Sequence, residues 1–425
     1  MTRAIIRWSA ENRWVVLLAA AVVVLFAVYA LRSIPVDAIP DLSDTQVIVY
    51  SRWDRSPDIV EDQVTYPIIT SLLGAPRVKS IRGFSDFGFS YVYVIFEDGT
   101  DLYWARSRVV EYLSKIQPQM PEGVRTELGP DATGVGWVFQ YALVDDSGTQ
   151  SLADLRTFQD WTLRYRLQSV PGVSEVASYG GFQKQYQVTV DPNKLEAYGV
   201  GIMDVTRAVR QSNNEVGGRL VEMGGKEYMV RGRGYLGSAA DLEQTVLKAN
   251  ARGTPVRLRD VADVAVGPEI RRGVGDLDGL GDTVGGIVVM RHGENARETI
   301  ARVRQRLEEL KPSLPAGVRV VTTYDRSELI QRAIDTLKHE LVLQMAIVSV
   351  VILLFLWHVP SALVPILTIP ISVLLAFIPL SFMGVTVNIM SISGIAISIG
   401  VLVDGAIVEV ENAYNKIHLW QAEGR

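Results

Sequence analysis

Asp404 is the residue in this chain best placed to do chemistry. From Val387 to Asn412 the sequence reads VNIMSISGIAISIGVLVDGAIVEVEN, and the run Ile389–Val403 before Asp404 carries no charge. A charged carboxylate at mid-membrane costs about 2.5–3.5 kcal/mol even on the lenient insertion scale, so it needs a task or a partner. In general, burial raises a carboxylate's pKa and a nearby cation lowers it. A group held between those effects loads and unloads a proton, which is the chemistry of a proton relay. The plainer alternative is a structural Asp paired with a Lys or Arg on another helix. Glu411 lies seven residues on, along the same helical face. It is either a second relay carboxylate or a solvated group near the cytoplasmic end. Glu409 falls about 140° round the helix and reads as interfacial. Met390 and Ile397 recur in steps of seven on the Asp404 face, and Gly394, Ser398, Gly400, Gly405 and Ala406 are small neighbours. Small residues let a second helix approach closely. The stripe is therefore expected to face a protein interior or a water-filled cavity, and not lipid.

Other chemistries find little support. The chain has 425 residues, 48% of them hydrophobic, a net charge of −5 and no Cys. Its mean hydropathy is +0.17, which fits a few membrane spans joined to a large aqueous part. The acidic balance gives no sign of nucleic-acid binding. Without Cys there are neither disulfides nor thiolate metal sites. His292, His339, His358 and His418 are scattered without ligand spacing. No nucleophile elbow, P-loop or dinucleotide fingerprint is present, so no ATP or redox cofactor is implied and the chain is not expected to be an enzyme.

The elements that position Asp404 begin at the N-terminus. Arg3, Arg7 and Arg13 precede the uncharged run Trp14–Leu31, and Arg32 comes just after it. The run is longer than a signal-peptide core and lacks a cleavage site, so it predicts an uncleaved span. The charge bias puts the N-terminus in the cytoplasm and the long stretch from about Ile34 to Leu329 outside. Near the other end, Asp325–Glu340 predicts an amphipathic helix leading into spans at Leu341–Trp357 and Ala362–Met383, with WHVPS as a tight turn between them. The Asp404 span comes next. Pro365, Pro370 and Pro379 in the third span are tolerated where neighbours satisfy the freed carbonyls.

Between the first span and the rest lies a duplicated unit. Val47–Tyr50 and Tyr91–Phe96 read as strands, and Pro57–Leu73 and Asp101–Ile116 as helices. The order βαββαβ predicts a ferredoxin-like module. Shifting Val94–Arg125 by 194 positions gives ten identities in 32, with Gly99 on Gly293, Pro118 on Pro312 and Gly123 on Gly317. Chance gives about two, so a repeat is expected. The second copy starts near Gln140–Val144 and contains a helix at Ala153–Val170. It is interrupted by an insertion, about Phe182 to Arg272, with a strand at Gln185–Val190 and a helix at Ile202–Gln211. Within it, Asn214–Gly237 carries Gly224-Gly225 between two strand-like runs, a hairpin signal. This hairpin is an arm for a neighbouring subunit or an exposed loop. Met223 and Met229 flank its turn, and packing is the expected role for them, ahead of metal binding.

Six segments carry a resemblance to a known family: PVDAIPDLSDTQV (35–47), YVYVIFEDGTDLYWARSRVVEYL (91–113), LGPDATGVGW (128–137), TTYDRSELI (322–330), FLWHVPSALV (355–364) and VDGAIVEVEN (403–412). In these the chain resembles heavy-metal efflux pumps of the resistance–nodulation–division superfamily, most closely the copper/silver-exporting branch. The resemblance runs the whole length. It implies a membrane α-helical bundle with four transmembrane helices, joined to periplasmic α+β ferredoxin-like porter subdomains and a docking subdomain. The implied layout is residues 1–33 for the cytoplasmic N-terminus and first span, and 34–138 for the first porter subdomain. The second porter subdomain takes 139–181 and 273–329, and the docking subdomain 182–272 with its hairpin at 214–237. The later spans take 330–358, 361–383 and 387–412, and the cytoplasmic end 413–425.

The resemblance further implies a proton-driven homotrimer in a bacterial inner membrane, with a periplasmic membrane-fusion adaptor and an outer-membrane channel as partners. Asp404 lands on the family's proton-relay aspartate, and Glu411 on the Glu of its VEN motif. Family chains are more than twice as long and have two such halves. This chain is expected to be the first, with relay partners and the main metal site in the other. Copper/silver members carry a methionine path, because soft monovalent cations prefer thioethers. Met390 keeps one such position, while Leu402, Glu409 and Ile270 stand where Met is expected. The cargo is thus Cu(I)/Ag(I), or a divalent cation such as Zn, Co, Cd or Ni. Export of organic compounds, and a truncated product that assembles without conducting, are the remaining readings.

Overall fold

The computed structural model describes residues 7–9, 11–37, 39–249, 253–271, 273–356 and 359–422. Arg3, Arg425 and the Trp357–His358 pair of the expected turn lie outside them. The chain divides into two compact units. One comprises Met1–Ala142, Leu163–Ala177 and Gly286–Arg425, and the other Leu143–Thr162 and Ser178–Gly285.

The first βαββαβ copy runs through β1 (Gln46–Arg52), α2, β2 (Val78–Asp86), β3 (Phe89–Phe96), α3 (Leu102–Ile116) and β4 (Arg125–Leu128). Helix α2 comprises Pro57–Val60, a π-turn at Glu61–Thr65 and Tyr66–Leu72. The strands order as β2-β3-β1-β4, the split arrangement of a ferredoxin-like unit. Strand β3, FSYVYVIF, turns alternate residues inward, and both helices cover that face. On α3, Leu102, Ala105, Val109 and Leu113 are the buried residues, one stripe at helical spacing. Asp101 starts this helix by accepting from the Trp104 amide at 2.7 Å.

The second copy runs through β5 (Trp137–Asp145), α4, β6 (Val173–Gly180), β13 (Val284–Met290), α9 (Ala296–Leu310) and β14 (Val318–Asp325), with strand order β14-β5-β13-β6. Helix α4 comprises Leu152–Phe158, a π-turn at Gln159–Leu163 and Arg164–Gln168. The correspondences found in the sequence are structural. Asn295 caps α9 as Asp101 caps α3, and Val303 and Val109 are both fully buried. Pro118 and Pro312 sit in matching 3₁₀ turns, and Gly123 and Gly317 share positive φ, at 89° and 80°. Each copy also carries a π-turn in its first helix, a rare feature the sequence did not signal. In both, the π-turn brings a buried polar side chain to a serine of the next strand: Thr65 to Ser85 at 2.7 Å, and Gln159 to Ser178 at 3.3 Å.

The insertion between β6 and β13 belongs to the second unit. Strand β7 (Lys184–Val190) pairs antiparallel with β12 (Ala262–Pro268) along its whole length. Helices α5 (Pro192–Tyr198), α6 (Ile202–Ser212), α7 (Ala239–Glu243) and α8 (Leu258–Val261), with β10 (Val246–Ala249) and β11 (Pro255–Arg257), complete it. They close a small core of Val200, Val205, Leu242, Val256, Leu258 and Val261. Strands β8 (Val216–Met223) and β9 (Lys226–Gly232) form a separate two-stranded hairpin. Gly224 and Gly225 both have positive φ, the type I′ turn their sequence predicts. Every residue of β9 is exposed.

Four long helices complete the first unit: α1 (Arg13–Ser33), α10 (Arg326–Leu356), α11 (Val359–Phe382) and α12 (Ile389–Ala422). Among the described residues α1 is the helix long and apolar enough throughout to cross a membrane, and shorter apolar stretches run over Leu367–Phe382 and Ile389–Ile399. Helix α11 lies against α1, α10 and α12. The shared core holds Ile34, Ile369, Val373, Phe377, Val387, Ile392, Ile395 and Ile399. Two helices run beyond the segments read as spans. The amphipathic helix and second span are one unbroken helix, because no Gly or Pro interrupts 326–356. The last helix continues past residue 412 to Ala422.

Candidate functional site on the Asp404 helix

Helix α12 is anchored at its first turn. Asn388, 4% exposed, accepts through Oδ1 from the Met390 and Ser391 amides, both at 3.0 Å. Its own amide donates to Ser391 Oγ at 2.8 Å, a reciprocal cap, and its Nδ2 donates to Thr386 O at 3.2 Å. The cap fixes where the helix begins and how it is rotated. With that rotation, Ile392, Ile395 and Ile399 enter the helical core.

Asp404 is nine residues from Ile395, which at 100° per residue is the opposite side of the helix. It is exposed, and so is Glu411. Ile397 and Val401, on the same side, are 76% and 73% exposed, and Met390 is 64% exposed. The structure thus brings the sequence-predicted residues Met390, Asp404 and Glu411 onto one stripe. Met390 lies about 21 Å from Asp404 along the axis and Glu411 about 10 Å beyond it, so the three share a face and not a coordination sphere.

The stripe expected to face a protein interior or a water-filled cavity is exposed among the described residues. A Cβ added at Gly394 or Gly405 would meet nothing within 4 Å, so among the described residues no helix packs against these two glycines. The cause is the cap and the isoleucine face, which together turn the carboxylate outward. The alternative, an ion pair with a Lys or Arg on another helix, has no partner among the described residues. Among the described residues, Asp404 makes no hydrogen bond or ion pair, and no Lys or Arg occurs in 14–31 or 339–415. A basic partner at mid-helix depth is not encoded here.

The other candidates separate. Leu402 and Glu409 lie on α12 and Ile270 on the insertion, 82% exposed. On the hairpin, Met229 lies opposite Leu220 and Met223 opposite Lys226. Side chains alternate across a strand pair, so these two methionines point to opposite faces and cannot share an ion. Among the described residues no group of three or more His, Asp or Glu could hold a metal.

Two polar centres escaped the sequence reading. Asp131 of the LGPDATGVGW segment joins the two repeats within the first unit. It accepts from Tyr103 Oη at 2.9 Å, from Arg291 Nε at 2.8 Å and from Ser174 Oγ. Burial pushes its carboxyl up, but the Ser174 and Tyr103 hydroxyls and the Arg291 guanidinium outweigh that and hold it below the usual range. The second centre pairs Arg326 with Asp37, 289 positions apart in sequence. Both residues sit inside segments that carry the family resemblance, but nothing local says which distant residue each one meets.

Comparison with known proteins places this architecture. The chain is 54% identical over 418 residues to the cation efflux system protein CusA of Escherichia coli strain K12, covering 98% of this chain and 40% of that protein. It is 53% identical over 417 residues to the putative cation efflux system protein SilA of Salmonella typhimurium, with the same coverage. To the cobalt-zinc-cadmium resistance protein CzcA of Cupriavidus metallidurans it is 35% identical over 434 residues, covering 100% of this chain and 40% of that one. A crystal structure of a heavy metal efflux pump superposes on 96% of this chain and 40% of its own, with a TM-score of 0.84 at 32% identity. The chain thus spans about two-fifths of the length of the relatives it matches. Residues 5–425 match the profile of the AcrB/AcrD/AcrF family, and the chain belongs to that family of resistance–nodulation–division transporters.

Proposed function

We propose that this chain is the first half of an inner-membrane pump that exports heavy-metal cations, Cu(I) and Ag(I) first among them, in exchange for protons. The observation that carries the proposal is Asp404: a carboxylate on an apolar helix, turned outward by a fixed cap, with no Lys or Arg in the apolar stretches 14–31 and 339–415. Such a group is stable in a bilayer only protonated or beside an added charge, and alternation between those states is proton transfer. Helices α1, α10, α11 and α12 serve as the four spans, the two βαββαβ copies as periplasmic porter subdomains, and the insertion as the docking subdomain. The exposed stripe of α12 is the surface for a second helical half that supplies the relay's remaining groups. Glu411 extends the relay and Met390 offers a thioether to a soft cation. The working assembly is a homotrimer with a periplasmic adaptor and an outer-membrane channel.

The identity of 54% to CusA against 35% to CzcA supports the monovalent cargo. Divalent transport is the second reading, favoured by Leu402, Glu409 and Ile270 at positions where thioethers are expected. Expressing the full reading frame with Asp404→Asn tests the relay. Resistance to Ag⁺ and Cu⁺ salts is expected to fall to that of a pump-free strain at unchanged membrane abundance. Undiminished resistance would remove the relay role.

A further inference from the structure

The apolar helices of the first unit meet its strands at a buried ionic joint. Helix α1 ends at Ser33, and Pro35–Asp37 then runs beside the segment that precedes α12. Val36 pairs with Val387 in a parallel bridge. The Asp37 amide donates to Val387 O at 2.9 Å, and the Val387 amide donates to Pro35 O at 3.0 Å. The next residue, Asn388, is the cap of α12. The Asp37 carboxylate in turn receives Arg326 Nη1 at 3.4 and 3.5 Å, while Arg326 Nη2 donates to Trp137 O at 3.1 Å. Trp137 opens β5 and Arg326 opens α10. Asp325, the last residue of β14, receives Arg304 from α9 and accepts from the Ser327 amide at 2.8 Å.

One guanidinium therefore ties together the exit of α1, the entry to α12, the first residue of α10 and the first residue of β5. Its side chain is 5% exposed, its bonds to Asp37 are long, and its Nε makes no hydrogen bond among the described residues. A buried pair of this quality is a poor stabiliser, because desolvating the two ions offsets their attraction and an apolar pair of like volume would hold the joint as well. What a planar fork adds is geometry: two acceptors on different elements keep a fixed relation to one side chain. Since α12 is capped one residue after Val387, a shift of α12 moves Val387, then Asp37, then Arg326, and with it the start of β5.

We propose that Arg326 and Asp37 are positioning residues that couple the protonation state of Asp404 on α12 to the β5 end of the second βαββαβ module. The proposal rests on the relay reading of Asp404. Its test uses membranes holding the full-length pump and a hydrophobic carbodiimide, which modifies protonated carboxyls in apolar surroundings. Labelling of Asp404 is read by mass spectrometry with and without silver nitrate, in the parent and in Arg326→Met. In the parent, Ag⁺ is expected to change labelling about fivefold or more, the low end of ordinary coupling between sites. In Arg326→Met that response disappears while labelling without Ag⁺ and membrane abundance stay at parent levels. A retained Ag⁺ response overturns the coupling role, and so does a loss of labelling without Ag⁺, which marks a structural role. Should Arg326→Met fail to accumulate, Asp37→Asn decides the question by the same readout. A parent that responds to Ag⁺ neither in labelling nor in resistance overturns the pump reading itself, a result distinct from failure of the joint alone.

Discussion

At the scale of single residues, Asp131 and Asp404 show two ways a protein treats a carboxylate. Asp131 is surrounded by donors, and its folded pKa lies below its unfolded value. It therefore contributes stability that is fully present above the unfolded pKa and lost as pH falls through the folded one. Asp131→Asn is expected to cost about 2 kcal/mol at pH 7, the scale of hydrogen bonds to a charged group. Thermal melts should show that cost shrinking as pH is lowered below the ordinary carboxylate range, because the parent then loses the same charge. Asp404 has no such donors among the described residues. Its substitution by Asn is expected to leave the melting temperature of the first unit unchanged while removing transport, since no fold contact depends on its charge.

At the scale of elements, the duplication makes paired predictions. Leu113 on α3 and Leu307 on α9 are equivalent and equally buried, at 8% exposed. Leu113→Ala and Leu307→Ala should each cost about 2–4 kcal/mol, with similar unfolding midpoints. The glycines divide by surroundings. Gly99 and Gly293 have φ of 77° and 82°, with open space where a Cβ would go. Alanine there should cost only the left-handed backbone penalty, about 1–2 kcal/mol. Gly180 has φ of 68°, and a Cβ would fall 2.0 Å from Thr283 O. Gly180→Ala combines that penalty with a backbone clash and should cost at least about 3 kcal/mol in a denaturant titration. The helix at Asp101–Ile116 and the repeat that places α9 were readable in the sequence, because periodicity and identities within short windows mark them. The π-turns in α2 and α4 were not. Their reason is a contact with a serine on another strand, which no local period encodes.

At the scale of the whole molecule, the hairpin of β8 and β9 carries the clearest expectation. Strand β9 is exposed throughout, and a two-stranded ribbon without a core adds little stability. Replacing 214–237 by a short Gly-Ser linker should leave the melting temperature of the purified protein within about 2 °C of the parent, well under the shift that 1 kcal/mol gives a smaller domain. If the hairpin is an arm for a neighbouring subunit, the same deletion lowers the trimer fraction in size-exclusion chromatography. A resistance panel of Ag, Cu, Zn, Cd, Co and Ni salts with the full reading frame is expected to show the largest gain for the monovalent pair.

The amino-acid sequence by itself determined the repeat, the helices of its first copy, the Gly-Gly hairpin and the presence of one carboxylate in an apolar helix. Each of these comes from composition or from spacing within a few residues, where backbone geometry fixes which side chains share a face. Only the tertiary structure decided that Asp404 points away from its own bundle, that Met223 and Met229 lie on opposite faces, and that Arg326 reaches Asp37 across 289 positions. Those outcomes depend on which face of a helix wins the core and on how strands pair. Both are set by packing between distant segments, and the local sequence carries no record of the partner.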